Sequence, residues 1–222
     1  MILFEIVNAL VSARLADPLR AWWQSATKGP VERLRFLGAF SGAGRRLGRS
    51  EVAGDLPEVP RLAAHGLIVA GRPWAELGRV GLLLGLPGRV ADQELIGLVE
   101  EAYRTGDLEE KQAVLRALAF LPQPSSYVAI AAEGARSNAM SIVEAITCDN
   151  PFPAQHFSTD ALNQMTMKAL FNGLPLLRIV GLQGRMNDDL VRMSRDYGRE
   201  RRAAGRAISN DLAMLEQGSL SS

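Results

Sequence analysis

Apolar residues return every three or four positions along almost the whole chain, and no stretch sustains the alternation of a half-buried strand. That periodicity predicts an all-α fold. The clearest instance is Leu95, Leu98, Val99, Ala102 and Tyr103, which makes one continuous apolar stripe on a helix beginning at Asp92. Thr105-Gly106-Asp107 ends that helix and caps a successor running from Leu108 to Leu121, because glycine tolerates a helix terminus and an aspartate accepts from free amides. A chain of 222 residues that is 47% hydrophobic has enough core to fold without disulfides or metal staples.

The remaining helices follow from the same pattern and from its breakers. A first helix is expected from Leu3 to Trp23, interrupted or bent at Pro18, and a second opens at Pro30 and loosens at Gly42 and Gly44. Residues Gly48 to Pro60 are polar and punctuated by glycine and proline, which predicts a long loop. An apolar helix follows Pro73 and stops at Pro87-Gly88, and a further one carries Val128, Ala131, Ala132 and Ala135, whose small side chains allow a neighbour to approach closely. Asn138 opens a short helix through Ile146, Asp149-Asn150-Pro151-Phe152-Pro153 cannot continue one, Ser158 caps the next, and a last helix starts near Asn187. Short helices joined by tight turns fit either stacked helix pairs, as in HEAT- or TPR-like α-solenoids, or a compact irregular helical bundle. The expected division is an N-terminal helical stack, 1–146, with a C-terminal helical segment, 147–222, packed on it as one continuous domain.

Formal net charge is +1, so the chain has no global field for nucleic acid or an acidic membrane. The longest uncharged run, between Arg116 and Glu133, is short of a span and broken by Pro122 and Pro124, so no membrane insertion is expected. The single cysteine, Cys148, is compatible with a reducing compartment, and a cytoplasmic location is expected. One cysteine and two histidines do not make a structural zinc site, and neither a metal nor another cofactor is anticipated.

Polar chemistry concentrates in the last third. Cys148, Asp149 and His156 invite a nucleophile or ligand reading, while a small buried hydrophobe and a turn built by Asp149 and Asn150 is the structural alternative. Asn163, Gln164 and Lys168 lie on an amphipathic helix from which they can face a cleft. Arg192, Arg195, Arg199, Arg202 and Arg206 keep helical spacing and either grip an anion or pair with the interleaved Asp188, Asp189, Asp196 and Glu200. With Tyr197 as the one interleaved aromatic, they do not form a nucleic-acid platform.

Cys148 to Pro153, Phe157-Ser158, Asn163-Gln164-Met165 with Lys168 to Phe171, Gly181-Leu182 with Arg185 and Asn187, and Asp196-Tyr197 leading to Glu200 to Arg206 together resemble the C-terminal signature of the EboA family. The likeness covers roughly residues 147 to 212. His156 and the run Gly198-Arg199-Glu200-Arg201 depart from it, the latter standing where a histidine-containing run is common, which argues against carrying over any metal or acid-base role. The resemblance implies a bacterial gene cluster with a UbiA-type prenyltransferase and sugar-phosphate-like enzymes, associated with making or exporting secondary metabolites.

Two functions compete on this reading, with a purely structural interaction module as a third. The first is a non-catalytic adaptor or carrier supporting such a pathway, with proteins of the same cluster as partners and an anionic small molecule as the expected ligand. Its expected contacts are Asn163, Gln164, Lys168, Arg185, Tyr197, Arg201 and Arg206, with Cys148, Asp149 and Asn150 in the same recess. The second is an enzyme acting on a phosphorylated or prenylated small molecule, with Cys148 or Asp149 as nucleophile or base and the arginines as an electrostatic clamp.

Overall fold

The computed structural model describes residues 2–220, and thirteen α-helices joined by short 3-10 turns account for its regular structure. Two isolated bridges, Glu51 with Pro73 and Pro87 with Val90, are the β pairing among the described residues. The all-α expectation therefore holds. By compactness the chain divides into residues 1–131 and 132–222, a boundary that falls within one helix.

In the first unit the helices are α1 (Ile2–Arg14), α2 (Asp17–Lys28), α3 (Arg33–Leu47), α4 (Glu58–Ala64), α5 (Trp74–Leu84), α6 (Asp92–Thr105) and α7 (Leu108–Ala117), and α8 (Val128–Arg136) begins here. Every residue of α5 is buried, and α1, α2, α3 and α7 pack around it, so the unit is a bundle about a central helix. Its glycines make the contacts close: a Cβ added at Gly81 would stand 2.8 Å from Val7 and 2.9 Å from Trp23. The interruption expected at Pro18 is a full break, which leaves that proline in the first turn of α2 where its missing donor does no harm. The boundaries correct three expectations. Pro30 lies in the loop, and α3 begins at Arg33. Gly42 and Gly44 do not loosen α3, which continues to Leu47, and α4 occupies the end of the presumed long loop.

Charges inside this bundle fix how α5 meets α7. Glu76 of α5 pairs with Arg116 of α7, Nε to Oε1 2.8 Å, while Arg79 of α5 faces Glu109 and Glu110 of α7 at 3.7 Å and donates from Nε to the Phe40 carbonyl. A parallel arrangement would oppose Glu76 to the α7 glutamates and Arg79 to Arg116, so the pattern is satisfied by antiparallel helices. The Asp107–Glu110 capping box starts α7 where the sequence indicates, with both reciprocal hydrogen bonds made.

Tyr127 carries the opposite kind of feature. It is fully buried, and among the described residues its hydroxyl has no hydrogen-bond partner. Burial, reinforced by the charges of Asp92 and Glu100, pushes the phenol up to about 12. Because the folded value lies above the unfolded one, the neutral phenol is kept without penalty below about pH 10, and stability falls as pH rises from there towards 12. Tyr127→Phe should raise stability by roughly 1 kcal/mol at neutral pH and flatten that alkaline decline, as read by urea unfolding across the pH range.

The second unit holds the end of α8, α9 (Met140–Thr147), α10 (Phe152–His156), α11 (Thr159–Phe171), α12 (Asp188–Ala203) and α13 (Asn210–Gln217). Ser158 caps α11 as expected, and Asn187, near which the next helix was expected to start, caps α12, each accepting from the amide three residues on. The proline-rich run was expected not to continue a helix, and α9 does end at Thr147, yet a new helix, α10, starts there, because Pro151 and Pro153 sit where a helix start needs no donor. Phe152 is fully buried with its ring against His156 and Phe157, and α12 packs against both α11 and α13. Among the described residues no helix is long and apolar enough to cross a membrane.

Candidate functional site

The turn after α9 is built around Arg178. Its guanidinium donates to the Asp149 carboxylate, 2.6 Å from NH2 and 3.2 Å from Nε, and pairs through NH1 with Glu144 at 2.9 Å, while the Asp149 amide donates back to the Arg178 carbonyl. The Asp149 hydrogen bond, helped by Glu144, raises the guanidinium's pKa above its ordinary value against the opposing effect of burial. Asp149 adopts φ +54°, a left-handed conformation that aspartate tolerates better than most residues. Asn150 is buried and spans the turn, donating to the Ala145 carbonyl and accepting from the Phe152 amide. Cys148 is fully buried behind them. This trio therefore shapes a turn, and its carboxylate is already held by an arginine.

The other expected contacts separate into distinct places. Asn163 is buried and exchanges two amide hydrogen bonds with Asn187, which fastens α11 to the start of α12. Arg185 donates to the carbonyls of Ala154 and Phe157, bracing the segment that leads into α11. Tyr197 packs its ring against Phe171 at 4.5 Å and accepts from Arg201, whose Nε also donates to the Ala207 carbonyl. Arg206 is exposed and lies beyond the end of α12. The arginines of the stripe that lie on α12 are engaged: Arg192 with Asp189, Arg199 with Asp196, and Arg202 with Glu216, while Arg195 donates to the Glu216 carbonyl. Hydrogen bonding to Arg202 is the largest cause of the lowered Glu216 pKa. These residues are not brought together into one recess.

Gln164 and Lys168 are. They stand one turn apart on α11 and face a half-open cavity of about 250 Å³, with Ala132 and Ala135 of α8, Phe157, Ala161 and Met165 as its apolar walls and Arg136 at its edge. Lys168 donates to the Ser137 carbonyl at 2.6 Å, leaving further N–H donors on its ammonium, and burial lowers its pKa. The lining includes two cations and an amide but no carboxylate. Such a recess suits a compact molecule with an apolar body and an anionic head. Sequence reading missed Arg136 and misjudged the alanines: Ala132 and Ala135 leave space for the cavity, where close approach of a helix was expected. The available signal was their one-turn spacing ahead of a basic residue at the helix end.

No group of three or more histidine, cysteine or acidic side chains among the described residues is placed to hold a metal ion. Fold and site together define the class: an all-α protein carrying a cation-rimmed apolar recess on short helices. The chain belongs to the EboA family, described as "Metabolite traffic protein EboA", which it matches over residues 3–216, nearly its whole length. No curated protein and no solved structure matches it.

Proposed function

We propose that the protein is a non-catalytic helical carrier, or adaptor, that holds a small anionic metabolite in the cavity between α8 and α11. In this reading it works in the cytoplasm and supports the biosynthesis or export of a secondary metabolite encoded by an ebo-type gene cluster. Its protein partners are other products of that cluster, among them a UbiA-type prenyltransferase or sugar-phosphate-like enzymes. The observation that carries the reading is the pairing of apolar walls with Lys168, Arg136 and Gln164 in one recess free of carboxylates. The family's description as a metabolite traffic protein agrees with it. The enzymatic alternative draws less support, since Asp149 is held by Arg178 and Cys148 is fully buried.

Titration calorimetry with geranyl phosphate and with neutral geraniol tests the site. The phosphate should bind more tightly than the alcohol. Lys168→Met should weaken it by roughly tenfold, the scale of one hydrogen bond to a charged group, and Ala161→Leu should fill the cavity and abolish binding. Unchanged affinity in both variants, with their helix content and thermal midpoints intact, overturns the assignment.

A further inference from the structure

The first unit contains a second recess that the carrier reading does not use. It lies between α2 and α3, has a volume of about 290 Å³, and includes Trp22, Phe36 and Gly38 together with three arginines, Arg35, Arg46 and Arg89. That volume is close to the lower end of ordinary small-molecule pockets, about 300 Å³, so the occupant it fits is compact.

Its charge is unbalanced. Glu32 is the one carboxylate in the lining against three guanidiniums, and among the described residues none of the three arginines enters an ion pair. Arg89 is satisfied by neutral groups, the carbonyls of Gly85, Ala26 and Gly29, and its burial lowers its pKa. Arg35 donates to the Ser25 hydroxyl. Arg46 lies over the Trp22 ring, 4.8 Å from its centroid. Each guanidinium has five N–H donors, so these neutral contacts leave capacity for an anion.

The walls favour a flat ring. Trp22 and Phe36 supply aromatic surface, and Gly38 supplies a stretch of α3 without a side chain. A Cβ built at Gly38 meets nothing within 4 Å. Gly42, one turn further along α3, gives Arg46 its path: a Cβ there would stand 2.0 Å from the Arg46 NH1 nitrogen. The guanidinium therefore folds back along α3 towards the recess because position 42 is glycine.

We infer that this recess is a second ligand site, selective for a planar aromatic anion bearing a phosphate or carboxylate, with the ring between Trp22 and Phe36 and the acid on Arg35, Arg46 and Arg89. The inference stands apart from the α8–α11 cavity and does not depend on it.

Calorimetry on the full chain tests it with four probes: 1-naphthyl phosphate, 1-naphthoate, neutral 1-naphthol and inorganic phosphate. At least one naphthyl anion should bind and quench Trp22 fluorescence, while naphthol and inorganic phosphate each bind at least about tenfold more weakly. Which anion wins identifies the head group as phosphate or carboxylate. Gly38→Leu, which enters open space, and Arg46→Gln should each reduce affinity at least about tenfold without lowering the thermal midpoint. Gly42→Ala displaces only the flexible end of Arg46 and should weaken binding while leaving the helix intact. Equal binding of naphthol, or full affinity in both Gly38→Leu and Arg46→Gln, overturns the proposal. Loss of naphthyl anion binding in Ala161→Leu but not in Gly38→Leu also overturns it, because the occupied site would then be the α8–α11 cavity.

Discussion

Arg116→Met lowers the unfolding free energy of the first unit by about 3–5 kcal/mol, the scale for removing one partner of a buried ion pair. Arg116 is 5% exposed at its side chain and Glu76 is 10% exposed, so loss of the guanidinium leaves the Glu76 carboxylate of α5 unpaired inside the bundle, facing α7. Water cannot reach that carboxylate well enough to replace the 2.8 Å contact. The double variant Arg116→Met, Glu76→Leu should recover most of the loss, since it buries neither charge and roughly keeps the side-chain volume. Urea unfolding of both variants reads this directly. Equal destabilisation by the single and double changes would show that packing, not charge, is what α5 and α7 require of these positions.

The second large effect belongs to the C-terminal unit. Arg178→Met should destabilise it by roughly 1.5–3 kcal/mol, the range for hydrogen bonds to charged groups, with the partial exposure of Arg178 and Glu144 placing it towards the lower end. The change removes the guanidinium donors that bind Asp149 and leaves its left-handed turn to the Asn150 side-chain bonds and the backbone. Hydrogen exchange at the Asp149 amide, which donates to the Arg178 carbonyl, should accelerate ahead of the bulk of the unit. Asp149→Asn should cost less than Asp149→Ala, because asparagine accepts the same backbone conformation and can still accept one hydrogen bond. Exchange at that amide unchanged in Arg178→Met would show that the turn holds without its arginine.

These two arginines illustrate what the sequence discloses and what it hides. Helix class, the caps at Asp107, Ser158 and Asn187, and the apolar stripe of α6 were legible because each is a local pattern in which side chain and backbone lie within one or two turns. The interior charges of α5 were not, since nothing local to Glu76 and Arg79 announces that α7 brings Arg116 and Glu110 against them. The breakers were half legible: the run with Pro151 and Pro153 was read as unable to continue a helix, and α9 does end at Thr147, but proline is also well suited to beginning one, as in α10. The last helix, α13, was not anticipated; its Ser209 cap accepting from Leu212 was its local signal.

The candidate site divides in the same way. Gln164 and Lys168 were legible as a polar pair one turn apart, and they share the cavity. Asn163 has the same polarity but spends its amide on Asn187, and Arg185 spends its guanidinium on two carbonyls about thirty residues away in sequence. A side chain's type announces what it can bond to, whereas its partner is chosen by the tertiary fold. The arginine stripe of α12 is the plainest case, since spacing suited to an anion also suits the aspartates three residues earlier on the same helix.

The central claim is that the protein retains a small anionic molecule in the recess where α11 presents Lys168 and Gln164. Native mass spectrometry of protein purified from its own host, beside the Ala161→Leu variant prepared identically, tests it most directly. The account predicts a compact acidic compound bound at near one per chain in the unmodified protein and missing from the variant. The same compound carried equally by both, or none carried by either, would contradict it.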